Sequence, residues 1–367
     1  MADVPPLVLL AAGGTGGHLF PAEALAEALS KRGITVDLAT DERAERYGKR
    51  FPARHIHIIT SATVRGRGPV ALARTTAALG LGTLQAWRLL ARIRPAVVAG
   101  FGGYPTVPPL LAATLRKIPT VIHEQNAVMG RANRLLAPRV STIATSFAEV
   151  GASVPHLAGK MVRTGNPVRP AVIAAVKPFP APTANGPFRL VVFGGSQGAR
   201  IMADIAPPAI ERLAAELRAR LSVVQQAREE DLARVRDSYA RASVTAEVAP
   251  FFTDLPSRIA DGHLVVSRSG ASTVAELAAI GRPSILVPLP HALDQDQAAN
   301  AGVLERAGGA LCLRQADFTP DRLAAEISAL ASAPQKLVAM ATAAHSQGAL
   351  EAAERLADLV AKLARPA

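Results

Sequence analysis

The chain has 367 residues, which is enough for two or three domains that each bury a core. Hydrophobic residues make up 49% of it and charged residues 19%, so the composition excludes a globally disordered chain. The single cysteine, Cys312, excludes an internal disulfide and a cysteine metal cluster. We predict neither a signal peptide nor a membrane-spanning helix, and therefore a cytoplasmic protein whose contact with a membrane is peripheral.

Charge is distributed unevenly along the chain. The formal net charge is +12, of which residues 1–166 carry +11 and residues 167–367 carry +1. Between Arg43 and Arg94, 11 basic residues accompany one acidic residue, Glu45. This basic segment is expected to attract an anionic partner.

Two similar units begin about half a chain apart. One, LVLLAAGGTGGHLFPAEALAEAL, starts at Leu7, and the other, RLVVFGGSQGARIMADIAPPAIERL, starts at Arg189. Each predicts a strand, a glycine turn and a helix, and apolar runs alternate with helical stretches along the whole chain. This pattern predicts an α/β protein with two doubly wound parallel-sheet domains.

The domain boundaries follow from composition. Residues 167–187 are too rich in proline for a helix or a central strand and are predicted to be a linker. Residues 1–166 then form an N-terminal Rossmann-like domain, and residues 188–345 form a C-terminal one. Residues 346–367 are predicted to form a helix that packs back toward the N-terminal domain.

The first glycine turn, Gly13 to His18, lies between a predicted strand and helix, so its backbone N–H groups can face a phosphate. A plain βα turn is the alternative. The turn lacks the GK[ST] of a P-loop, and Leu19 stands where a nicotinamide fingerprint has Gly or Ala, which disfavours an oxidoreductase. His18 follows the glycines directly and is the first candidate for a proton acceptor.

The run from Thr75 to Trp87 is uncharged and compatible with a helix, and it lies within the basic segment. Apolar surface ringed by Lys and Arg is typical of a protein that lies on an anionic membrane. The alternative is a core helix with solvated flanks. Nucleic acid is disfavoured as the partner, since the few aromatic residues do not interleave with the basic ones.

Four polar residues, His123 to Asn126, end an apolar strand that begins near Ile118. Buried polar groups are costly without partners, so we expect these residues to face a cleft; a satisfied polar network is the alternative. Because α/β sheets place their sites at the carboxyl ends of strands, Glu124 is the second candidate for a proton acceptor.

The C-terminal half carries two further strand–turn–helix units. In the turn from Gly194 to Gly198, Ser196 can either contact a phosphate or serve as a helix N-cap. In the second unit, which begins at His263, Glu276 can either bind a ribose diol or form a capping box with Thr273.

Neither a cofactor nor a metal is predicted. Asp294 and Asp296 match a metal-binding DxD only weakly, because acidic residues are favoured at a helix start in any case. A fold that places two helix N-termini on a diphosphate also has less need of a cation.

These motifs together resemble the MurG family of bacterial peptidoglycan glycosyltransferases, which add N-acetylglucosamine to lipid I to make lipid II. The matching segments, in chain order, are GGTGGHLFPAEALA from Gly13, GFGGYPTVPPLLAA from Gly100, HEQNAVMGRANRLLA from His123, TGNPVR from Thr164, GGSQGAR from Gly194, SRSGASTVAELAAIGRPSILVPLP from Ser267 and DQAANA from Asp296. A single glycine turn is a weak signal, whereas this ordered set is highly specific.

The resemblance implies a GT-B fold with the active site in the cleft between the two domains, and inverting transfer to the 4-hydroxyl of the acceptor sugar. The C-terminal domain would hold the donor, UDP-N-acetylglucosamine, and the N-terminal domain the undecaprenyl-linked acceptor, lipid I, with no metal. It also implies a peripheral enzyme on the cytoplasmic face of the bacterial inner membrane. The alternatives are a UDP-N-acetylglucosamine 2-epimerase, which leaves the basic segment unexplained, and a nucleotide-sugar-binding protein without catalysis.

By the same resemblance, a set of residues contacts the donor. They are Thr15, Gly16, Gly17, Asn126, Arg169, Ser196, Phe252, Ala271, Ser272, Thr273, Val274, Ala275, Glu276 and Gln297. Phe252 stands near the uracil where the family often has a smaller aliphatic residue, and the contact there is largely through the backbone. Asp296 precedes Gln297 where some members have a second glutamine, which leaves a sugar contact at 296 open.

Overall fold

The structure is a computed structural model that describes residues 5–13, 16–42, 51–61, 68–183, 185–195, 198–290 and 295–364. The chain divides into two compact units. Unit 1 comprises Met1–Arg169 and Ala349–Ala367, and unit 2 comprises Pro170–Gly348.

Unit 1 is built on a parallel seven-stranded sheet in the order β3-β2-β1-β4-β5-β6-β7. Its strands are β1 (Leu7–Ala11), β2 (Thr35–Thr40), β3 (Ile56–Ile58), β4 (Val97–Gly100), β5 (Thr120–Glu124), β6 (Thr142–Thr145) and β7 (Met161–Arg163). Val8 of β1 pairs with Val36 of β2 on one side and with Val97 of β4 on the other. The strand order therefore reverses at β1, and doubly wound folds bind ligands at this point, outside the carboxyl ends of the strands.

Helices cover the sheet of unit 1. They are α1 (Gly16–Ser30), α2 (Pro69–Ile93), α3 (Val107–Leu115), α4 (Arg131–Leu136), α5 (Glu149–Ser153) and, near the end of the chain, α15 (Ala352–Ala364). Alternate residues of β1 face two different cores: Val8 and Leu10 pack with α1 and α15, whereas Leu9 and Ala11 pack with α2 and α3. A strand buried on both faces is apolar throughout, which explains the run LVLLA.

The last helix, α15, packs against α1 and completes a core of unit 1. Its residues Leu356, Ala357 and Val360 are fully buried in that core. Arg32, just beyond α1, forms an ion pair with Glu354 at 2.8 Å. The C-terminal segment is thus held to unit 1 by apolar burial and by charge.

Unit 2 is built on a parallel six-stranded sheet in the order β10-β9-β8-β11-β12-β13. Its strands are β8 (Phe188–Phe193), β9 (Leu221–Gln226), β10 (Thr245–Ala249), β11 (Leu264–Ser267), β12 (Ser284–Leu286) and β13 (Ala310–Cys312). Its helices are α6 (Pro170–Ala174), α7 (Arg200–Glu211), α8 (Ala215–Ala219), α9 (Leu232–Arg241), α10 (Leu255–Asp261), α11 (Ala271–Ile280), α12 (Asp296–Ala307), α13 (Pro320–Ala331) and α14 (Pro334–Ser346). The strand order reverses at β8, just as it does at β1.

The proline-rich segment 167–187, predicted to lack a helix, contains the short helix α6. Pro170 begins this helix, and proline is tolerated there because the first helical N–H has no partner within the helix. Farther along the segment, the buried guanidinium of Arg282 donates a hydrogen bond to the backbone oxygen of Lys177 at 3.2 Å. This part of the segment is therefore fixed to unit 2.

Candidate active site

His18 lies in the first turn of α1, directly after the glycine turn that ends β1. Its side chain is half-buried. Burial lowers the pKa of His18, and a hydrogen bond with the backbone of Gly13 opposes this shift without cancelling it. The partial positive charge of the helix N-terminus also disfavours a charged imidazole. His18 is therefore neutral at pH 7 and able to accept a proton.

Two glycines after β4 form the surface against which the His18 ring lies. Gly102 and Gly103 have φ values of 81° and 74°, which residues with a side chain rarely adopt. A Cβ atom on Gly102 would lie 3.4 Å from Nε2 of His18, and one on Gly103 would lie 3.3 Å from its Cε1. The two glycines thus let the backbone approach the imidazole closely, which fixes the position of the ring.

Glu124, the last residue of β5, is 1% exposed and accepts hydrogen bonds on both carboxylate oxygens. Its Oε1 accepts from the backbone N–H of Asn126 at 3.0 Å and from Nδ2 of Asn126 at 3.2 Å. Its Oε2 accepts from the backbone N–H of Gly130 at 2.9 Å and from Nδ2 of Asn133 at 2.8 Å. Burial raises the pKa of Glu124, and these four donors oppose the rise. The carboxylate therefore organises the loop after β5 and orients Asn126.

The expectation that the polar residues at the end of β5 face a cleft is wrong for three of the four. His123, Glu124 and Gln125 are each at most 2% exposed, whereas Asn126 is partly exposed. Nε2 of His123 donates to the backbone oxygen of Gly165 at 2.9 Å, and Nε2 of Gln125 donates to a backbone oxygen at 2.9 Å. The alternative, a buried polar network, describes these three residues. Burial in it lowers the pKa of His123 to about 4.

Asn166, shortly after β7, is a residue that the sequence analysis missed. It is 5% exposed, and neither Oδ1 nor Nδ2 of its amide has a hydrogen-bond partner in the described part of the chain. The hydroxyls of Thr40 and Ser146, which end or follow β2 and β6, are buried and unpartnered in the same way. Buried polar groups without partners are costly, so the unpartnered amide of Asn166 indicates a place for a polar ligand. The one signal for Asn166 in the sequence is its position within the motif TGNPVR.

Arg169 is brought to α1, the helix that also carries Gly16, Gly17 and His18. Its guanidinium lies 4.5 Å from the centroid of the Phe20 ring. Its charge also acts on Glu23 in the same helix, where it opposes the rise in pKa caused by burial. Three of the predicted donor contacts, Gly16, Gly17 and Arg169, thus lie at or beside the start of one helix.

In unit 2, the glycine turn after β8 is tied to the loop after β10. A Cβ atom on Gly194 would lie 2.1 Å from the backbone nitrogen of Ala199, so only glycine fits there. Gln226, which ends β9, accepts a hydrogen bond from the backbone N–H of Gly194 at 3.1 Å and donates one to the oxygen of Pro250 at 3.2 Å. The sequence analysis missed Gln226. Ser196 lies outside the described residues, and the N-cap of α7 is Ala199.

The start of α11 offers donors to an anion. Its N-cap is Gly270, so Thr273 lies inside the helix and forms no capping box with Glu276; that alternative is wrong. The hydroxyl of Ser272 is buried without a hydrogen-bond partner in the described part of the chain. Glu276 is 7% exposed. Free N–H groups and an unpaired hydroxyl at a helix N-terminus suit a phosphate.

Phe252 and Gln297 each make contacts that hold the loops around them. Phe252 is 8% exposed, and the guanidinium of Arg258 lies 4.4 Å from its ring centroid. Oε1 of Gln297 accepts a hydrogen bond from the backbone N–H of Leu289 at 3.1 Å, and its backbone oxygen accepts one from the Ser269 hydroxyl at 2.8 Å. Gln297 therefore joins the loops that follow β11 and β12 to the start of α12.

The acidic pair proposed as a weak metal motif falls at the same helix start. Asp296 is the first residue of α12, and Asp294 lies outside the described residues. Within the described ranges, no three His, Cys, Asp or Glu side chains are grouped so that they can hold a metal ion.

The helix α2 exposes apolar side chains within the basic segment. Leu81, Leu84 and Trp87 are 52%, 46% and 38% exposed, and we call these three residues the α2 face. The guanidinium of Arg116 lies 4.7 Å from the Trp87 ring centroid. The core-helix alternative therefore describes only the buried side of α2, which includes Ala86. Among the described helices, none has the length and apolar character needed to span a bilayer.

The predicted site residues thus fall into two groups, one in each unit. The unit 1 group is Gly16, Gly17, His18, Glu124, Asn126 and Arg169. The unit 2 group is Phe252, Ala271, Ser272, Thr273, Val274, Ala275, Glu276 and Gln297. Thr15 and Ser196 lie outside the described residues.

Family models match both units. Residues 8–145 match the glycosyltransferase family 28 N-terminal domain, and residues 189–356 match the glycosyltransferase family 28 C-terminal domain. Two doubly wound sheets with these matches define a GT-B glycosyltransferase, which confirms the predicted fold class.

Individual relatives define the family more closely. The chain is 63% identical, over 100% of both chains, to the UDP-N-acetylglucosamine--N-acetylmuramyl-(pentapeptide) pyrophosphoryl-undecaprenol N-acetylglucosamine transferase of Rhodopseudomonas palustris. It is 30% identical to Acinetobacter baumannii MurG, whose crystal structure matches with a TM-score of 0.80 over 98% of this chain and 100% of that one. The chain therefore belongs to glycosyltransferase family 28 and, within it, to the MurG family, as predicted.

A solved UDP-GlcNAc 2-epimerase from Neisseria meningitidis is also similar in structure. It matches with a TM-score of 0.70 over 97% of this chain and 100% of that chain, but the sequences are only 16% identical. This likeness shows a shared fold and nothing about activity.

Proposed function

We propose that the protein transfers N-acetylglucosamine from UDP-N-acetylglucosamine to the 4-hydroxyl of the N-acetylmuramic acid of lipid I, with inversion at the anomeric carbon. The product is lipid II, a precursor of peptidoglycan. The observation that carries the chemistry is the half-buried, neutral imidazole of His18 at the carboxyl edge of the unit 1 sheet. The relative from Rhodopseudomonas palustris is named for the same transfer.

The reaction exchanges one bond at the anomeric carbon for another. The acceptor oxygen O4 forms a bond to this carbon while the bond to the β-phosphate oxygen breaks, and the electron pair of the broken bond leaves with UDP. The proton of the 4-hydroxyl passes to the His18 imidazole. A positioned base of this kind contributes about 10²–10⁴-fold to the rate.

The residues of unit 2 stabilise the leaving diphosphate. The N-terminus of α11 presents backbone N–H groups, and the Ser272 hydroxyl adds a further donor. Fixed donors and the positive end of a helix dipole favour the charge that develops on the diphosphate. A metal ion is not part of this proposal, and the family resemblance implies none.

Glu124 is our second candidate for the base, and its hydrogen bonds support a different role. Each of its oxygens already accepts two hydrogen bonds, and its side chain is 1% exposed. A carboxylate in this state orients Asn126 toward the donor rather than meeting the acceptor hydroxyl. We therefore assign Glu124 as a positioning residue and His18 as the base.

We further propose that unit 1 lies on the anionic cytoplasmic face of the inner membrane, where the lipid-linked acceptor is held. The α2 face supplies apolar contact, and the exposed Arg74 and Arg88 on the same helix supply positive charge. A basic residue near an anionic surface contributes about 1 kcal/mol to binding. The excess of +11 in residues 1–166 acts in the same direction.

Product analysis tests the transfer directly. With labelled UDP-N-acetylglucosamine and a short-chain analogue of lipid I, we expect a β-1,4-linked disaccharide and UDP in equal amounts. Without the acceptor, the nucleotide sugar should be recovered unchanged. Conversion of UDP-N-acetylglucosamine into its 2-epimer would indicate the epimerase instead, and binding without any product would indicate a non-catalytic protein.

A further inference from the structure

A cavity of about 500 Å³ lies beside the start of β3 in unit 1. Its walls come from the chain around β3 and from the last turn of α2. The lining residues are Arg54, His55, Ile56, His57, Arg92 and Ile93. The sheet is parallel, so Arg54 and His55, which precede β3, lie at its amino edge, whereas His18 and Asn126 lie at its carboxyl edge. The cavity is therefore separate from the proposed transfer site.

A buried carboxylate holds two of the basic side chains in place. Asp37 on β2 is fully buried, and its two oxygens accept hydrogen bonds from Nε and Nη2 of Arg54, both at 3.0 Å. Nε2 of His57 lies 2.9 Å from Oδ2 of Asp37. Burial raises the pKa of Asp37, but the hydrogen bonds and charges of Arg54 and His57 outweigh this and hold it below its usual value. The carboxylate stays ionised and fixes the Arg54 guanidinium in one orientation.

Positive charge exceeds negative charge around the cavity. Arg54 and Arg92 both line it, none of the described lining residues is acidic, and Asp37 balances only one of the two cations. Within the described part of the chain, the side chains of Arg92 and His55 donate no hydrogen bond and form no ion pair. The guanidiniums of Arg54 and Arg92 and the imidazole of His55 thus present donors to one space, which attracts an anion.

We propose that this cavity binds a phosphate ester. Guanidinium groups match the oxygens of a phosphate in pairs, and the imidazole N–H of His55 can bind a further oxygen. Ile56 and Ile93 form an apolar wall for the organic part of the ester. The volume lies within the range of small-molecule sites, roughly 300–1,000 Å³.

The position of the cavity indicates which phosphate ester it meets. Arg92 and the α2 face belong to the same helix, so a protein that lies on a membrane through the α2 face brings the cavity close to lipid headgroups. The phosphate of an anionic glycerophospholipid then fits the basic wall. The choice of a lipid as the source of the phosphate rests on the proposed function, whereas the binding of a phosphate ester by the cavity does not.

Calorimetry with glycerol phosphate, at constant ionic strength, tests the cavity itself. We expect the full chain to bind it, and Arg92→Gln and His55→Gln each to weaken binding about fivefold, the effect of about 1 kcal/mol per contact. Neither side chain forms a hydrogen bond with the described residues, so the variants should fold normally, as circular dichroism can verify. Arg322→Gln, in α13 of unit 2, removes the same charge elsewhere and should bind like the unchanged chain. Absence of binding, or equal loss in Arg322→Gln, would overturn the proposal.

Vesicles identify the source of the phosphate. If it is a lipid headgroup, Arg92→Gln should bind phosphatidylglycerol vesicles about fivefold more weakly than Arg322→Gln does, since one phosphate contact is lost. If only glycerol phosphate binding falls, the ligand is a soluble phosphate ester. Transfer to a detergent-dissolved acceptor should be unchanged in Arg92→Gln. A chain that binds glycerol phosphate but transfers no sugar would contradict the proposed function and leave the phosphate site standing.

Discussion

The strand orders of the two sheets correspond, with a reversal at the first strand of each unit. The polar groups that lack hydrogen-bond partners at the two carboxyl edges nevertheless differ. In unit 1, the buried Thr40 hydroxyl and the Asn166 amide lack partners among the described residues, and the neutral His18 lies near the end of β1. In unit 2, neutral hydrogen bonds such as those of Gln226 join the loops, and Ser272 is left unpaired at a helix start. One edge thus suits proton transfer from an acceptor hydroxyl to His18, whereas the other offers hydrogen-bond donors that suit a diphosphate.

The largest effect should come from His18, because it is the proton acceptor at the unit 1 edge. We expect His18→Ala to lower kcat by about 10²–10⁴-fold with little change in the free energy of unfolding. Glu124→Gln places an NH₂ group opposite two N–H donors, so it should lower the free energy of unfolding by about 1–3 kcal/mol and impair activity less. Steady-state kinetics and urea unfolding of both variants check this. Near-normal turnover of His18→Ala beside a loss of several orders of magnitude in Glu124→Gln would reverse the assignment.

Each unit also contains a buried histidine that should make stability depend on pH. Burial lowers the pKa of His123 in unit 1 and of His263 in unit 2 to about 4, and nearby arginines add to the shift at His263. The unfolded chain takes up these protons near pH 6.5, whereas the folded chain does so only near pH 4. The contribution of each neutral histidine to the free energy of unfolding is therefore complete above pH 6.5 and is lost as the pH falls toward 4. At pH 5 this loss is about 2 kcal/mol for each histidine.

Urea unfolding at pH 7.5 and pH 5 measures this loss in each unit. Trp87 is the single tryptophan, so its fluorescence reports unit 1, while circular dichroism reports both units. His123→Gln should flatten the pH dependence of the fluorescence transition and leave that of unit 2 intact. If the fluorescence transition of His123→Gln depends on pH as strongly as that of the unchanged chain does, His123 is not the source of this pH dependence.

Asn166 offers a way to separate ligand contact from structural support. We expect Asn166→Ala to lower kcat/KM about tenfold and to leave the free energy of unfolding unchanged or higher, since it removes two unsatisfied groups. Asn133→Ala is the matched control: it loses hydrogen bonds to Glu124 at 2.8 Å and to the backbone oxygen of His123 at 3.2 Å, so it should unfold more easily. Loss of stability without loss of activity in Asn166→Ala would make its amide structural.

The smallest expected effect concerns the α2 face, which has no counterpart among the described helices of unit 2. Trp87 fluorescence should shift to shorter wavelength with anionic vesicles, and added salt should weaken the binding. Arg88→Gln should reduce the affinity about fivefold, since one basic residue contributes about 1 kcal/mol. Equal binding to neutral vesicles would contradict the electrostatic part of the membrane proposal.

The fold was predictable because its signals are local. Apolar runs such as that of β1, followed by glycine turns, predict strands and helix starts without knowledge of what they pack against. Local signals can also mislead: Thr273 and Glu276 have the spacing of a capping box, which was the alternative for Glu276, but the helix begins three residues earlier than that alternative requires, after Gly270. Spacing alone does not fix where a helix starts.

The parts of the site that depend on distant residues were not predictable. Whether Glu124 faces substrate or a network depends on Gly130 and Asn133, which reach it only when the loop after β5 folds back. The bridge made by Gln226 joins a turn and a loop that are far apart in sequence. Asn166 is informative because its buried amide has no hydrogen-bond partner among the described residues, and only the folded structure reveals this.

The most direct test is transfer of labelled N-acetylglucosamine from UDP-N-acetylglucosamine to a short-chain lipid I analogue, run in parallel with and without EDTA. If N–H and hydroxyl donors of unit 2 hold the diphosphate while His18 takes the proton, incorporation should proceed at the same rate in both tubes. Incorporation that stops with EDTA and returns with a divalent cation would contradict this arrangement. No incorporation in either tube, with the nucleotide sugar still bound, would contradict the transfer itself.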